Sequence, residues 1–164
     1  MNLAGMVPDG ATVLVDSNPI IYFLEGSALA DRFEQLFADV DAGRIHAIVT
    51  PITLAEVVSG PLRAGDDALV ERYRQTITAG SGWTLRDIDG DIAVLAARLR
   101  LRHRLKLPDA IQLAVAVQEG CHALITHDRD FRAVADVLIL GTAVTRPRRK
   151  PVESPGAKGP RGTT

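Results

Sequence analysis

Four acids stand out for where they fall relative to apolar runs: Asp16, Glu56, Asp109 and Asp128. Asp16 ends the run Thr12-Val13-Leu14-Val15, short and apolar enough to read as a strand buried on both faces. Asp128 follows a second such run, Ala123-Leu124-Ile125-Thr126. In a parallel sheet the carboxyl ends of all strands share one edge, where α/β proteins bind ligands. Asp16 and Asp128 therefore meet if their strands are neighbours. Glu56 can reach that edge from one turn into the helix after the second strand. Asp109 reaches it too, because a crossover helix starts on the edge where the strands end. Converging carboxylates without matching bases repel and raise one another's pKa. A hard divalent cation with oxygen ligands, Mg2+ or Mn2+, resolves that repulsion. The hydroxyls of Ser17, Thr53 and Thr126 and the amide of Asn18 could orient ligands or waters around it.

The elements that must position these residues are read in chain order. A first strand leads to a short helix over 19–25 with Asn18 near its cap, then to a helix over 28–40 ended by Gly43. A strand over 45–49 precedes a helix over 52–59, with Thr53 as its cap and Glu56 at capping-box spacing, ended by Gly60-Pro61. That spacing gives Glu56 an alternative, purely structural role. A helix over 66–79, a weak strand over 83–85 and a helix opened by Asp89 or Asp91 follow. From 98 to 107 basic and apolar residues alternate, and good helix formers favour a helix breaking into a loop. A helix over 108–119 carries Pro108 and Asp109 in its first turn, where an acid is favourable for the helix dipole by ~0.3–1 kcal/mol without any catalytic role. Strands over 123–126 and 137–140 complete an α/β fold with about five parallel strands.

Composition narrows the function. At 164 residues the chain suits one domain, placed at 1–146, with 147–164 as a flexible Pro/Gly/basic tail that has nothing to bury. With 46% apolar but only 4% aromatic residues, the core is aliphatic, and no apolar run reaches the ~20 residues of a membrane span. No secretory signal is legible at the N-terminus. One cysteine, Cys121, excludes an intramolecular disulfide and a two-cysteine zinc site, so a cytoplasmic setting is expected. Net charge of −1 does not choose a partner, but Arg98, Arg100, Arg102, Arg104 and Lys106 crowd one segment. That run is either a solvated helix face or a contact for RNA phosphates, with Arg98, Arg102 and Arg104 as candidates.

The motifs Val13-Leu14-Val15-Asp16-Ser17-Asn18, Thr53-Leu54-Ala55-Glu56-Val57, Leu107-Pro108-Asp109-Ala110 and Ile125-Thr126-His127-Asp128-Arg129-Asp130-Phe131 resemble those of PIN-domain ribonucleases, above all the VapC-type toxins. The similarity runs from about 12 to 140. It implies a Mg2+- or Mn2+-dependent endoribonuclease on a three-layer fold with a parallel sheet ordered 3-2-1-4-5. It also implies homodimers and a cognate antitoxin that blocks the site. Carried over by position, the catalytic and metal-holding acids are Asp16, Glu56, Asp109 and Asp128, with Asn18 and Thr126 at supporting polar positions. His127 departs from the family, which commonly has Asn there; it is read as a tolerated substitution able to contact RNA phosphate. Asp130 is an alternate acid for Asp128. Two rival readings stay open: a metal-dependent phosphohydrolase acting on DNA or nucleotides, and a non-catalytic scaffold that binds RNA or a partner.

Overall fold

The structure, a computed structural model, describes residue 3 and residues 5–142. The tail expected over 147–164 and the domain boundary placed at 146 lie outside the described residues. Five strands, β1 (Thr12–Val15), β2 (His46–Val49), β3 (Trp83–Leu85), β4 (Ala123–Ile125) and β5 (Leu138–Leu140), form one sheet in the order β3-β2-β1-β4-β5, every pair parallel. The α/β class and the 3-2-1-4-5 order expected from the motifs are thus what the chain adopts.

The central strands β1, β2 and β4 are apolar and buried through their carboxyl halves because both faces are covered, whereas the edge strand β3 keeps Thr84 exposed. Val13, Val15, Ala47, Val49, Ala123 and Ile125 point to one face. There they meet α1 (Ser17–Leu24), α2 (Glu34–Asp41), α3 (Pro51–Arg63) and α4 (Asp67–Thr78) through Ile20, Phe37, Val57 and Ile77. Leu14, Ile48 and Leu124 point the other way. They pack on α5 (Gly90–His103) and α6 (Leu107–Gln118) through Ile92, Leu99 and Leu113. The result is three layers with β1 and β4 side by side at the centre. Among the described residues no helix is long and apolar enough to cross a membrane.

Several boundaries differ from the sequence reading, each for a local reason. The cap of α1 is Asp16 rather than Asn18: Asp16 is extended (φ −75°, ψ 167°) and its carboxylate accepts from the Ser17 N–H. The cap of α3 is Thr50 rather than Thr53; its hydroxyl accepts from Thr53 N, and Pro51 fits the first helical turn where no N–H is needed. The helix also runs through Gly60-Pro61 to Arg63. Pro61 lies in the last turn, where its carbonyl still accepts from Ala64 and Asp66 before Gly65 turns left-handed. The helix expected over 28–40 is split into a 3-10 turn (Ala28–Arg32) and α2, joined at buried Phe33. The basic run does continue α5 to His103 and then breaks, with Arg104 in the left-handed region at φ 57°.

Candidate metal centre

Asp16 leaves β1 at the carboxyl edge of the sheet and caps α1, so strand and helix together fix its backbone. Its side chain is 7% exposed and receives three donors. Oδ1 accepts from Ser17 N at 2.8 Å and from Gln112 Nε2 at 3.4 Å, and Oδ2 accepts from Thr126 Oγ1 at 2.7 Å. Burial raises its pKa above the ordinary carboxylate value, the three hydrogen bonds oppose that, and the charge of Asp128 adds to the rise. A carboxylate offers about four lone-pair sites. Three are spoken for here, which leaves one.

The neighbouring strand supplies the next acid. Thr126, fully buried just past β4, donates its hydroxyl to Asp16 and accepts from Asp128 N at 3.0 Å. One hydroxyl therefore ties the exits of β1 and β4 together. Behind it Gly141, at φ +96°, runs so close that a Cβ there would stand 2.6 Å from the Thr126 carbonyl oxygen. Asp128 caps the following 3-10 turn (Arg129–Ala133) by accepting from Asp130 N at 2.8 Å.

Asp109 arrives from the first turn of α6, held there because Pro108 starts the helix and Ala110 and Leu113 are buried under the sheet. One ligand oxygen each from Asp109, Asp128 and Asp130 lie within 4.8 Å of one another. Asp109 Oδ2 is buried and has no hydrogen-bond partner, alone in this among buried side-chain polar atoms of the described residues. An orphaned carboxylate oxygen is costly unless something cationic meets it. Burial pushes the pKa of Asp109 up to about 6, with further increments from Asp128 and Asp16 and a smaller lowering from Lys106. An all-oxygen set with one orphaned member suits a hard divalent cation.

The other candidates lie around this group. Glu56 is exposed on α3 and makes no hydrogen bond or ion pair among the described residues; it stands outside the three-acid cluster. Thr53 is buried one turn before it. Asn18 is half-buried in the first turn of α1, and Ser17 contributes its backbone N–H. His127 packs edge-on against Tyr22, Nδ1 to Oη 3.0 Å. Burial and the charges of Arg32 and Arg129 lower its pKa, so the ring is neutral at pH 7 and offers hydrogen bonding rather than charge. Of the basic run, Arg98 and Arg104 are exposed, whereas Arg102 pairs with Asp136 at 2.9 Å, beside a 2.6 Å contact from His103 to the same carboxylate. Lys106 lies 3.7 Å from Asp130.

Two participants escaped the sequence reading: Gln112 and Thr50. Thr50 donates to Gln112 Oε1 at 2.9 Å, and Gln112 Nε2 donates to Thr53 Oγ1 at 2.6 Å as well as to Asp16. The signal for Gln112 was present. It is the lone polar residue in the run Ala110-Ile111-Gln112-Leu113-Ala114-Val115-Ala116-Val117, and so a buried polar group in need of partners.

The PIN-domain family model matches residues 13–137, a span that holds every acid described above. The chain belongs to the PIN-domain family. Among solved structures, this PIN domain is similar to a chain of a toxin–antitoxin complex from Klebsiella pneumoniae (31% identity, 77% of this chain, 95% of that one, TM-score 0.61). It is also similar to VapBC-5, of the VapBC family of toxin–antitoxin systems, from Mycobacterium tuberculosis (26% identity, 79% and 97%, TM-score 0.53). VapC20 from the same organism, a sarcin-ricin loop cleaving toxin, shares the fold at 15% identity (76% and 98%, TM-score 0.59). No curated protein gives a match.

Proposed function

We propose that this PIN domain is a divalent-metal-dependent endoribonuclease, the toxin of a toxin–antitoxin pair, working in the cytoplasm as a homodimer under control of a cognate antitoxin. The observation that carries the reading is the orphaned Asp109 oxygen beside Asp128 and Asp130, on the edge where Asp16 keeps one lone-pair site open. The toxin–antitoxin context rests on the similarity to the Klebsiella pneumoniae complex. Cleavage of RNA rests on the carboxylate chemistry and on the shared fold with a toxin that cleaves the sarcin-ricin loop.

Asp16, Asp109 and Asp128 would hold Mg2+ or Mn2+, with Asp130 as a further oxygen donor. The ion, when bound, lowers the pKa of a water and offsets charge that develops on the phosphodiester. Glu56, free of partners and exposed, orients the attacking water and takes its proton. The water oxygen bonds to phosphorus, the bond from phosphorus to one ribose oxygen breaks, and that oxygen leaves with a proton. Neutral His127 and exposed Arg98 and Arg104 meet the RNA backbone, which makes binding weaken with salt.

The test is cleavage of total cellular RNA by purified protein with Mg2+ or Mn2+, beside EDTA and Asp109→Asn controls. Discrete fragments absent from both controls are expected. Intact RNA with cleaved DNA or nucleotides in a parallel panel would replace the substrate class. Chelator-insensitive RNA binding without cleavage would leave a binding scaffold.

A further inference from the structure

We propose that Gln112 is a positioning residue of the metal centre: its side-chain amide holds Asp16 ready for the ion and ties it to the start of α3. The inference rests on the metal-dependent reading above. Gln112 is 1% exposed, on an α6 turn whose other inward residues are aliphatic. Burying an amide there is unfavourable unless its groups are met. Its carbonyl oxygen and both N–H groups each find a partner. Thr50 Oγ1 accepts from Thr53 N and donates to Gln112 Oε1 at 2.9 Å. Nε2 lies on the opposite side, where one N–H reaches Thr53 Oγ1 at 2.6 Å and the other points to Asp16 Oδ1 at 3.4 Å. A flipped amide would set an oxygen against the Asp16 carboxylate, which can only accept, whereas the Thr50 and Thr53 hydroxyls could serve either orientation.

The consequence reaches in two directions. Toward β1, the N–H points to Asp16 Oδ1 while Ser17 N and Thr126 Oγ1 hold the rest of the carboxylate, so the side chain is kept in one orientation with one lone-pair site open. Toward β2, the same amide is bonded to the cap of α3 and to Thr53, one turn before Glu56. Strand β1, strand β2 and helix α6 are thereby set in register at the point where their polar side chains meet.

The measurement is Mn2+ binding by calorimetry to the full chain, at a temperature well below melting, with Tm in EDTA recorded alongside. Gln112→Met keeps the volume and removes every hydrogen bond. The expected result is Mn2+ affinity weakened about 10-fold or more, the usual effect of losing an outer partner of a metal ligand. A purely structural glutamine would lower Tm in EDTA yet leave the Mn2+ Kd of the folded protein unchanged, and that result overturns the proposal. If Gln112→Met does not fold, Thr53→Val decides, since it removes the 2.6 Å acceptor but keeps the amide: weaker Mn2+ binding supports the role and unchanged binding ends it. Wild-type protein that binds no Mn2+ would remove the metal reading and this inference together; wild-type binding with an indifferent Gln112→Met removes the inference alone.

Discussion

Asp16 and Asp109 are two carboxylates at the same edge of the sheet, built in opposite ways, with Asp109 inside the three-acid cluster and Asp16 outside it. Asp16 is buried at a strand exit and receives donors from its own helix start, from α6 and from the residue after β4. Asp109 sits half-buried in the first turn of α6 with one oxygen sealed from solvent and unpartnered. Both have raised pKa values, with burial the largest cause in each. Only in Asp16 do hydrogen bonds push back. The first is organised by the protein alone, whereas the second has no protein partner for its buried oxygen. One acid thus stabilises the apo fold through its bonds while the other strains it, although catalysis would need both.

Mutants can break this comparison. The largest effect is shared: Asp16→Asn and Asp109→Asn should each reduce RNA cleavage by at least ~100-fold, the scale of removing a group that stabilises transition-state charge, read from initial rates in Mn2+. In metal-free stability they should diverge. Simple relief of repulsion predicts that Asp16→Asn leaves the apo fold intact or firmer, but the three donors reverse that expectation. An asparagine must turn its NH2 either toward the two N–H donors or toward the Thr126 hydroxyl, whose proton then loses its acceptor; this costs about 1–3 kcal/mol, and Tm in EDTA should fall. Asp109→Asn loses no hydrogen bond and removes a repelled charge. Its Tm in EDTA should rise by ~2–4 °C at most, the shift about 1 kcal/mol produces in a protein of this size. If both variants melt lower by similar amounts, the two acids are not built differently.

What the sequence made legible follows the same division. Apolar runs ending in acids located β1 and β4, and the motif order supplied their adjacency, because a buried parallel strand must be apolar on both faces. The caps were read late. A cap depends on which residue is extended before the first turn, and Asp16 and Thr50 both are, a detail of backbone angle that residue type alone leaves open. Pro51 is the cue to the cap of α3, since proline favours the first helical position. Gln112 carries no charge to mark it, and a neutral amide serves a carboxylate without standing out in the sequence. Glu56 shows the limit on the other side: it lies on a helix, as expected, though one with a different cap and a later end, and the motif does not specify how far from the other acids an exposed side chain rests.

The smallest and sharpest effect is in the pH dependence of the metal-free protein. Asp109 has its folded pKa raised to about 6 from 3.8, so between those values the folded state holds a proton that the unfolded chain has released. The folded state binds more protons there, and stability must fall as pH rises through the window. The contribution is fully present below about pH 4 and lost above about pH 6. Tm in EDTA should therefore decline for wild-type relative to Asp109→Asn across that range, with parallel curves above it. Saturating Mn2+ should act with the opposite sign. The ion needs the carboxylate, so the Tm gained on adding metal should grow from pH 4 to 6. Asp16, also raised, titrates in both proteins and cancels in the difference to the extent that its coupling to Asp109 is small. A flat difference curve in EDTA would mean that Asp109 is already paired in solution, and that its orphaned oxygen is no marker of a cation site.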